Sequence, residues 1–167
     1  EDDERLKVLV TLLLTLRGTP FLYYGEEIGM RDIPVLRKSD VLDPVGRHFW
    51  PFYKGRDGCR SPMQWNADPY AGFSEHEPWL PVHANHEWRN VESQQHEQNS
   101  LLNYYKKIIK IRKTTPALQK GMYLPITYEP HKILAYTRQT SQQTALIALN
   151  FSKKNVGLVL SSQFLTG

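Results

Sequence analysis

Two arginines, Arg56 and Arg60, lie in the run Gly55-Arg56-Asp57-Gly58-Cys59-Arg60-Ser61-Pro62-Met63-Gln64-Trp65. A guanidinium is always charged and offers five planar donors, which suit hydroxyl and carboxylate oxygens. On a loop punctuated by Gly and Pro such a pair makes a poor core and a good clamp for a polar ligand. The competing use is a pair of structural ion bridges on the loop surface. Phe52 and Tyr53, just ahead of the arginines, are placed to form an aromatic rim. Glu26 and Glu27 follow an apolar run and invite a catalytic reading. Adjacent residues on a strand point to opposite sides, so the two cannot together form an acid–nucleophile pair.

Other reactive side chains carry less. His83, His86 and His96 sit on no evident scaffold with a matching fourth group, which argues against a zinc site. Cys59 has no histidine arranged to activate it, and packing under the loop between the arginines is expected. Trp50, Trp65, Phe73, Trp79 and Trp88 are dense for one region. Aromatic faces stack on sugar C–H surfaces, yet for each of them, Trp65 included, packing of the loop is the plainer expectation. Lys106, Lys107, Arg112 and Lys113 are spaced to form the solvent face of an amphipathic helix, without the aromatic platform a nucleic acid would need.

The elements that must position these residues follow from periodicity. Asp2 and Asp3 are good helix starters. The apolar residues from Leu6 to Leu16 predict a helix covered on most sides, stopped by Gly18 and Pro20. Phe21-Leu22-Tyr23-Tyr24 reads as a short parallel strand buried on both faces. Helix, tight turn and strand form one αβ unit of an α/β fold. Residues 30–98 show no sustained period, and a loop of that length is usually functional. A second helix is predicted from Asn99 or Ser100 until Pro116, with Leu101, Leu102, Tyr105, Ile108 and Ile109 on its buried stripe. After Gly121 come Met122–Tyr128, Ile133–Arg138, Ala145–Phe151 and Val156–Leu160, an antiparallel all-β meander. The boundary between the α/β and β-rich parts is expected near Pro116 to Gly121.

Composition narrows the class. With 167 residues, 40% of them hydrophobic and 23% charged, the chain has an ordinary globular makeup. A net charge of +4 is too diffuse to argue for a nucleic-acid partner. One cysteine, Cys59, excludes an internal disulfide and fits a reducing, cytoplasmic setting. The apolar run Val8–Leu16 is too short to cross a bilayer, so no membrane partner is expected. Acidic residues at 1–4 stand where a secretory signal has positive charge. The chain starts without an initiator methionine, in the acidic cap of a helix, and reads as a piece cut from a longer polypeptide.

Several motifs occur together and in order: GTPFLYYGEEIGM at 18–30, the arginine run at 55–65, AGFS at 71–74, PWLPV at 78–82 and a helix ending IRKTTPAL at 111–118. Together they resemble the α-glucosidases of glycoside hydrolase family 13, the arginine run being similar to the loop after that family's eighth barrel strand. The resemblance implies the last part of a (β/α)8 TIM barrel over 1–117, with a long loop after the eighth strand. Residues 118–167 would start an antiparallel β-sandwich domain. It implies retaining hydrolysis of terminal, non-reducing α-linked glucose from oligosaccharides, with no cofactor. By the same resemblance Arg56 pairs with a carboxylate of the first barrel loop and holds the terminal glucose, while Arg60 lies nearer the +1 side. Glu27 organises the barrel mouth. The three catalytic carboxylates of the family come from earlier strands, and none lies in this chain. The third belongs to an Asn-His-Asp motif expected, with the rest of the barrel, upstream of Glu1. Two other readings stay open: a trehalose synthase, whose corresponding loop reads alike, and a non-catalytic amino-acid-transporter heavy chain, which keeps the barrel and lacks the carboxylates. The heavy chain should lose the first arginine of the clamp, and Arg56 is present.

Overall fold

A computed structural model describes residues 2–126 and 132–157. Within them the chain forms two compact units, one from residues 2–21 with 104–126 and 132–157 and one from Leu22–Asn103.

The first unit is a helix-on-sheet layer. Helix α1, Asp3–Thr15, starts as its acids require: the Asp2 side chain accepts from Arg5 N, and Asp3 and Glu4 fill the first turn. Strands β1 (Met122–Ile126), β2 (Ile133–Gln139) and β3 (Thr144–Asn150) pair antiparallel in the order β1-β2-β3. The register sets Leu124 against Thr137 and Tyr136 against Ile147. Leu118, Tyr136, Ile147 and Leu149 form a buried apolar cluster, and Val8, Leu12 and Leu16 pack against it. The predicted meander is therefore present in three strands. Part of its predicted fourth strand, and the end of its first, lie outside the described residues.

The C-terminal end of α1 has no basic residue of its own, so its last carbonyls need donors from elsewhere. Two arginines supply them. Arg112 donates from Nη1 to Leu14 O at 2.6 Å and from Nη2 to Gly18 O at 2.6 Å. Arg138, fully buried, donates from Nη1 to Thr15 O at 2.7 Å and from Nη2 to Gly121 O at 2.9 Å. Burial pushes the Arg138 pKa down, and the nearby Arg112 charge pushes it the same way. The hydroxyls of Thr15 and Tyr136 meet at 2.6 Å beside this clamp.

Helix α4, Leu101–Thr114, follows its stripe: Leu101, Leu102, Tyr105 and Ile108 are buried, with Lys106, Lys107, Lys110 and Lys113 exposed. Arg112 departs from the expected solvent face because its guanidinium reaches the end of α1. Pro116 begins a short helix, Pro116–Lys120, since proline suits the first helical position.

Two further expectations are corrected. Helix α1 is not covered on most sides, because Leu6 and Leu9 are exposed. Phe21–Tyr24 is no strand: a strand needs a neighbour to pair with, and no described segment ladders with it. Phe21 is 86% exposed, and Leu22, Tyr23 and Tyr24 are also exposed.

The second unit is built from short helices and turns, among them α2 (Pro44–Phe49) and α3 (Val91–His96). Ile28, Met63 and Leu102 form an apolar cluster, with Met30 and Val91 packed against it. Buried polar side chains do the work that regular ladders do elsewhere. Gln94 donates to Ile28 O at 2.8 Å and accepts from Leu102 N at 3.0 Å. Arg89 donates to Ile28 O, also at 2.8 Å, and Gln64 donates to Arg89 O.

Candidate functional site

The arginine run folds as a single turn, Asp57–Arg60, that points its first residue inward and its last two outward. Asp57 is buried, and its Oδ2 accepts from Leu42 N at 2.7 Å and from Asp43 N at 2.9 Å. Those two bonds fix the backbone just ahead of α2. Asp43 caps that helix: its Oδ1 accepts from Val45 N at 2.9 Å and Gly46 N at 3.5 Å.

The other oxygen of Asp43 holds Arg56. Oδ2 accepts from Arg56 N at 3.1 Å and from Arg56 Nε at 3.3 Å. The two ends of this ion pair differ in exposure: the Asp43 side chain is 1% exposed and the Arg56 side chain 58%. Burial pushes the Asp43 carboxyl up. The hydrogen bonds from Val45 N, Arg56 N, Arg56 Nε and Gly46 N outweigh it and hold the group below the usual range.

Arg60 is exposed and has no ion-pair partner among the described residues. It lies near two tyrosines that the sequence assigned to a strand core. Tyr24 OH donates to Ser61 O at 2.8 Å, and Tyr23 OH donates to Cys59 O at 3.2 Å. Burial pushes both phenols up, and the positive charge of Arg60 opposes it. The two hydroxyls thus staple residues 23–24 to the arginine turn.

Cys59 does not pack under the loop. It is exposed, with Sγ 3.2 Å from Arg56 O, because the turn sends Asp57 inward in its place. Phe52 is 97% exposed and Tyr53 less so. Trp65, Phe73, Trp79 and Trp88 are exposed as well, so packing inside this chain does not account for them. Glu26 and Glu27 fall on a tight turn, Glu26–Ile28, entered through left-handed Gly25. Glu26 is exposed and Glu27 half-buried. His83 Nδ1 accepts from Asn85 N at 3.1 Å, and His96 is exposed at the end of α3. Among the described residues no three His, Cys, Asp or Glu side chains group to hold a metal. No helix there is long and apolar enough to cross a membrane.

The structure thus joins Arg56 to Asp43 and sets Arg60 near Tyr23 and Tyr24. Sequence reasoning missed Asp43, Asp57 and the tyrosine hydroxyls as parts of the site. The available signal for Asp43 was its place directly before Pro44 at a helix start.

Residues 1–121 match the family model described as the α-amylase catalytic domain. The chain belongs to the α-amylase family. Over 97% of its length it is 36% identical to a probable oligo-1,6-glucosidase of Bacillus subtilis (strain 168), of which it covers 33%. It is 44% identical over 72% of its length to a probable α-glucosidase of Rhizobium meliloti (strain 1021), covering 22% of that protein. The crystal structure of an isomaltulose synthase from Klebsiella sp. LX3 superposes with a TM-score of 0.79 at 33% identity. That match covers 89% of this chain and 30% of the synthase. The chain therefore spans a third or less of the family members it matches here.

Proposed function

We propose that this chain works as part of a retaining α-glucosidase that removes terminal, non-reducing α-linked glucose from oligosaccharides. In this reading residues 1–117 complete a (β/α)8 barrel and residues 118–167 begin the β domain that follows. The catalytic carboxylates lie on other strands of the same barrel, and this segment holds the substrate. The reaction would pass through a covalent glycosyl-enzyme on a carboxylate nucleophile, which water then hydrolyses. Holding residues accelerate it only as far as they place the scissile bond for the transition state.

The observation that carries the reading is the arginine turn. Arg56 is fixed at one edge by a buried carboxylate and open at the other, as a residue must be to meet sugar hydroxyls. Arg60 offers a second guanidinium, exposed and without an ion-pair partner among the described residues, and Phe52 and Tyr53 offer exposed aromatic faces for a sugar ring. Glu27 would organise the barrel mouth. The glucosidase relatives supply the substrate class.

The full-length enzyme should release glucose from maltose or isomaltose and hydrolyse p-nitrophenyl α-D-glucopyranoside. Proton NMR should show the α-anomer of glucose first, as retention requires. Initial release of the β-anomer, or no turnover of any of the three, sinks the proposal. A second reading is favoured by the likeness to isomaltulose synthase: transfer of glucose within sucrose. Sucrose converted to an isomeric disaccharide faster than to free glucose selects it.

A further inference from the structure

Asp43 stands outside every motif that marked the site, 13 residues ahead of Arg56. We infer that Asp43 is the positioning residue for Arg56, its buried carboxylate taking the Nε edge so that the terminal amino groups are the edge presented to substrate. The inference rests on the reading of Arg56 as a sugar-holding residue.

Three features of the geometry carry it. First, the hydrogen bond to the Arg56 side chain uses Nε alone. A guanidinium is a planar fork, so holding Nε restrains that edge and leaves the four Nη–H donors without a hydrogen-bond partner among the described residues. Second, Asp43 is itself held from all sides. One oxygen is committed to the start of α2, the other to Arg56, and its backbone N–H to the buried Asp57. A carboxylate with that many donors cannot swing away when a ligand approaches. Third, the two backbones meet only because glycine occupies both sides. A Cβ on Gly46 would lie 2.7 Å from Gly55 Cα. Gly55 has a φ of +82°, and a Cβ there would lie 2.7 Å from Asp43 Cβ.

Magnitude decides what such a pair is for. With one partner largely in water, an ion pair contributes little to stability. Orientation is the larger consequence, because a holding group misplaced by about 1 Å costs on the order of a hundredfold in rate.

The test is a double-mutant cycle in the full-length enzyme with p-nitrophenyl α-D-glucopyranoside. Asparagine keeps a capping oxygen for α2 and loses the carboxylate. Asp43→Asn should lower kcat/KM roughly three- to tenfold, within the range of coupling found between residues in contact. Added to Arg56→Ala it should lower kcat/KM no further. Asp43→Ser, which also caps a helix, should behave alike and guards against a folding defect in the first variant. Losses that multiply in the double variant overturn the inference, as does wild-type kcat/KM in Asp43→Asn.

A second readout separates this inference from the reading beneath it. In 15N-arginine-labelled enzyme the Arg56 Nε–H resonance, assigned by its loss in Arg56→Ala, should shift and exchange faster in Asp43→Asn. If Arg56→Ala retains full kcat/KM, the sugar-holding reading fails and takes the role in turnover with it. An unmoved Nε–H resonance in Asp43→Asn shows instead that Asp43 does not orient Arg56.

Discussion

At the scale of single residues, the two arginines of the turn are in different situations. Arg56 is anchored to Asp43, and Arg60 is not paired among the described residues. Hydrogen bonds involving a charged group contribute about 1.5–3 kcal/mol, which at about 1.36 kcal/mol per decade is roughly ten- to hundredfold. In the full-length enzyme Arg56→Ala should lower kcat/KM by that factor and Arg60→Lys by much less, with unchanged circular dichroism. An equal loss in the two variants would remove the distinction between them. Asp43 also ties the loop to pH. Its folded pKa lies below the unfolded value of 3.8. Its contribution to stability is therefore fully present above pH of about 4 and is lost as pH falls through the folded pKa. Urea unfolding of wild type and Asp43→Asn should differ at pH 6 and converge below that point. A stability difference that grows on acidification would show the sign to be wrong.

At the scale of elements, helix α1 is held at its C-terminal end by borrowed cations. Arg138 sits on β2 and Arg112 on α4, and both spend their donors on carbonyls of residues 14–18. Such donors also complement the negative end of the helix dipole. Arg138→Met fills a similar volume and leaves Thr15 O and Gly121 O without these bonds. Each orphaned buried acceptor costs about 1–3 kcal/mol, so the variant should be less stable by a few kcal/mol. Hydrogen exchange should rise first at the last turn of α1. If the α1 amides keep wild-type protection, the clamp is not what holds the helix end.

At the scale of the whole molecule, two compact units carry large apolar side chains in water. Phe21, Leu22, Phe52, Trp79 and Trp88 are all exposed. Exposed apolar area of this kind marks surfaces that another part of a protein or a ligand covers. With the catalytic carboxylates assigned to other strands of the barrel, the purified 167-residue chain should not turn over p-nitrophenyl α-D-glucopyranoside. It should bind a hydrophobic dye and unfold without one sharp transition, because it forms two compact units rather than one. Turnover by the chain alone, free of host glucosidase, or a single two-state calorimetric peak, would contradict this.

The sequence by itself determined the elements whose residues repeat. The stripe of α4 and the alternation of β3 each bury one face, and burial of a face leaves a period that can be read; the acidic start of α1 is a local capping signal. It also determined the family, because the GTPFLYYGEEIGM, arginine-run and PWLPV segments keep their types and order. Only the tertiary structure decided what Arg56, Arg112 and Arg138 bind, that Phe21–Tyr24 has no strand partner among the described residues, and that Asp57 rather than Cys59 turns inward. Each of those outcomes depends on which side chain meets which backbone group across a fold. A bond from Asp43 to Arg56, or from Arg138 to Thr15, joins residues that no local propensity relates.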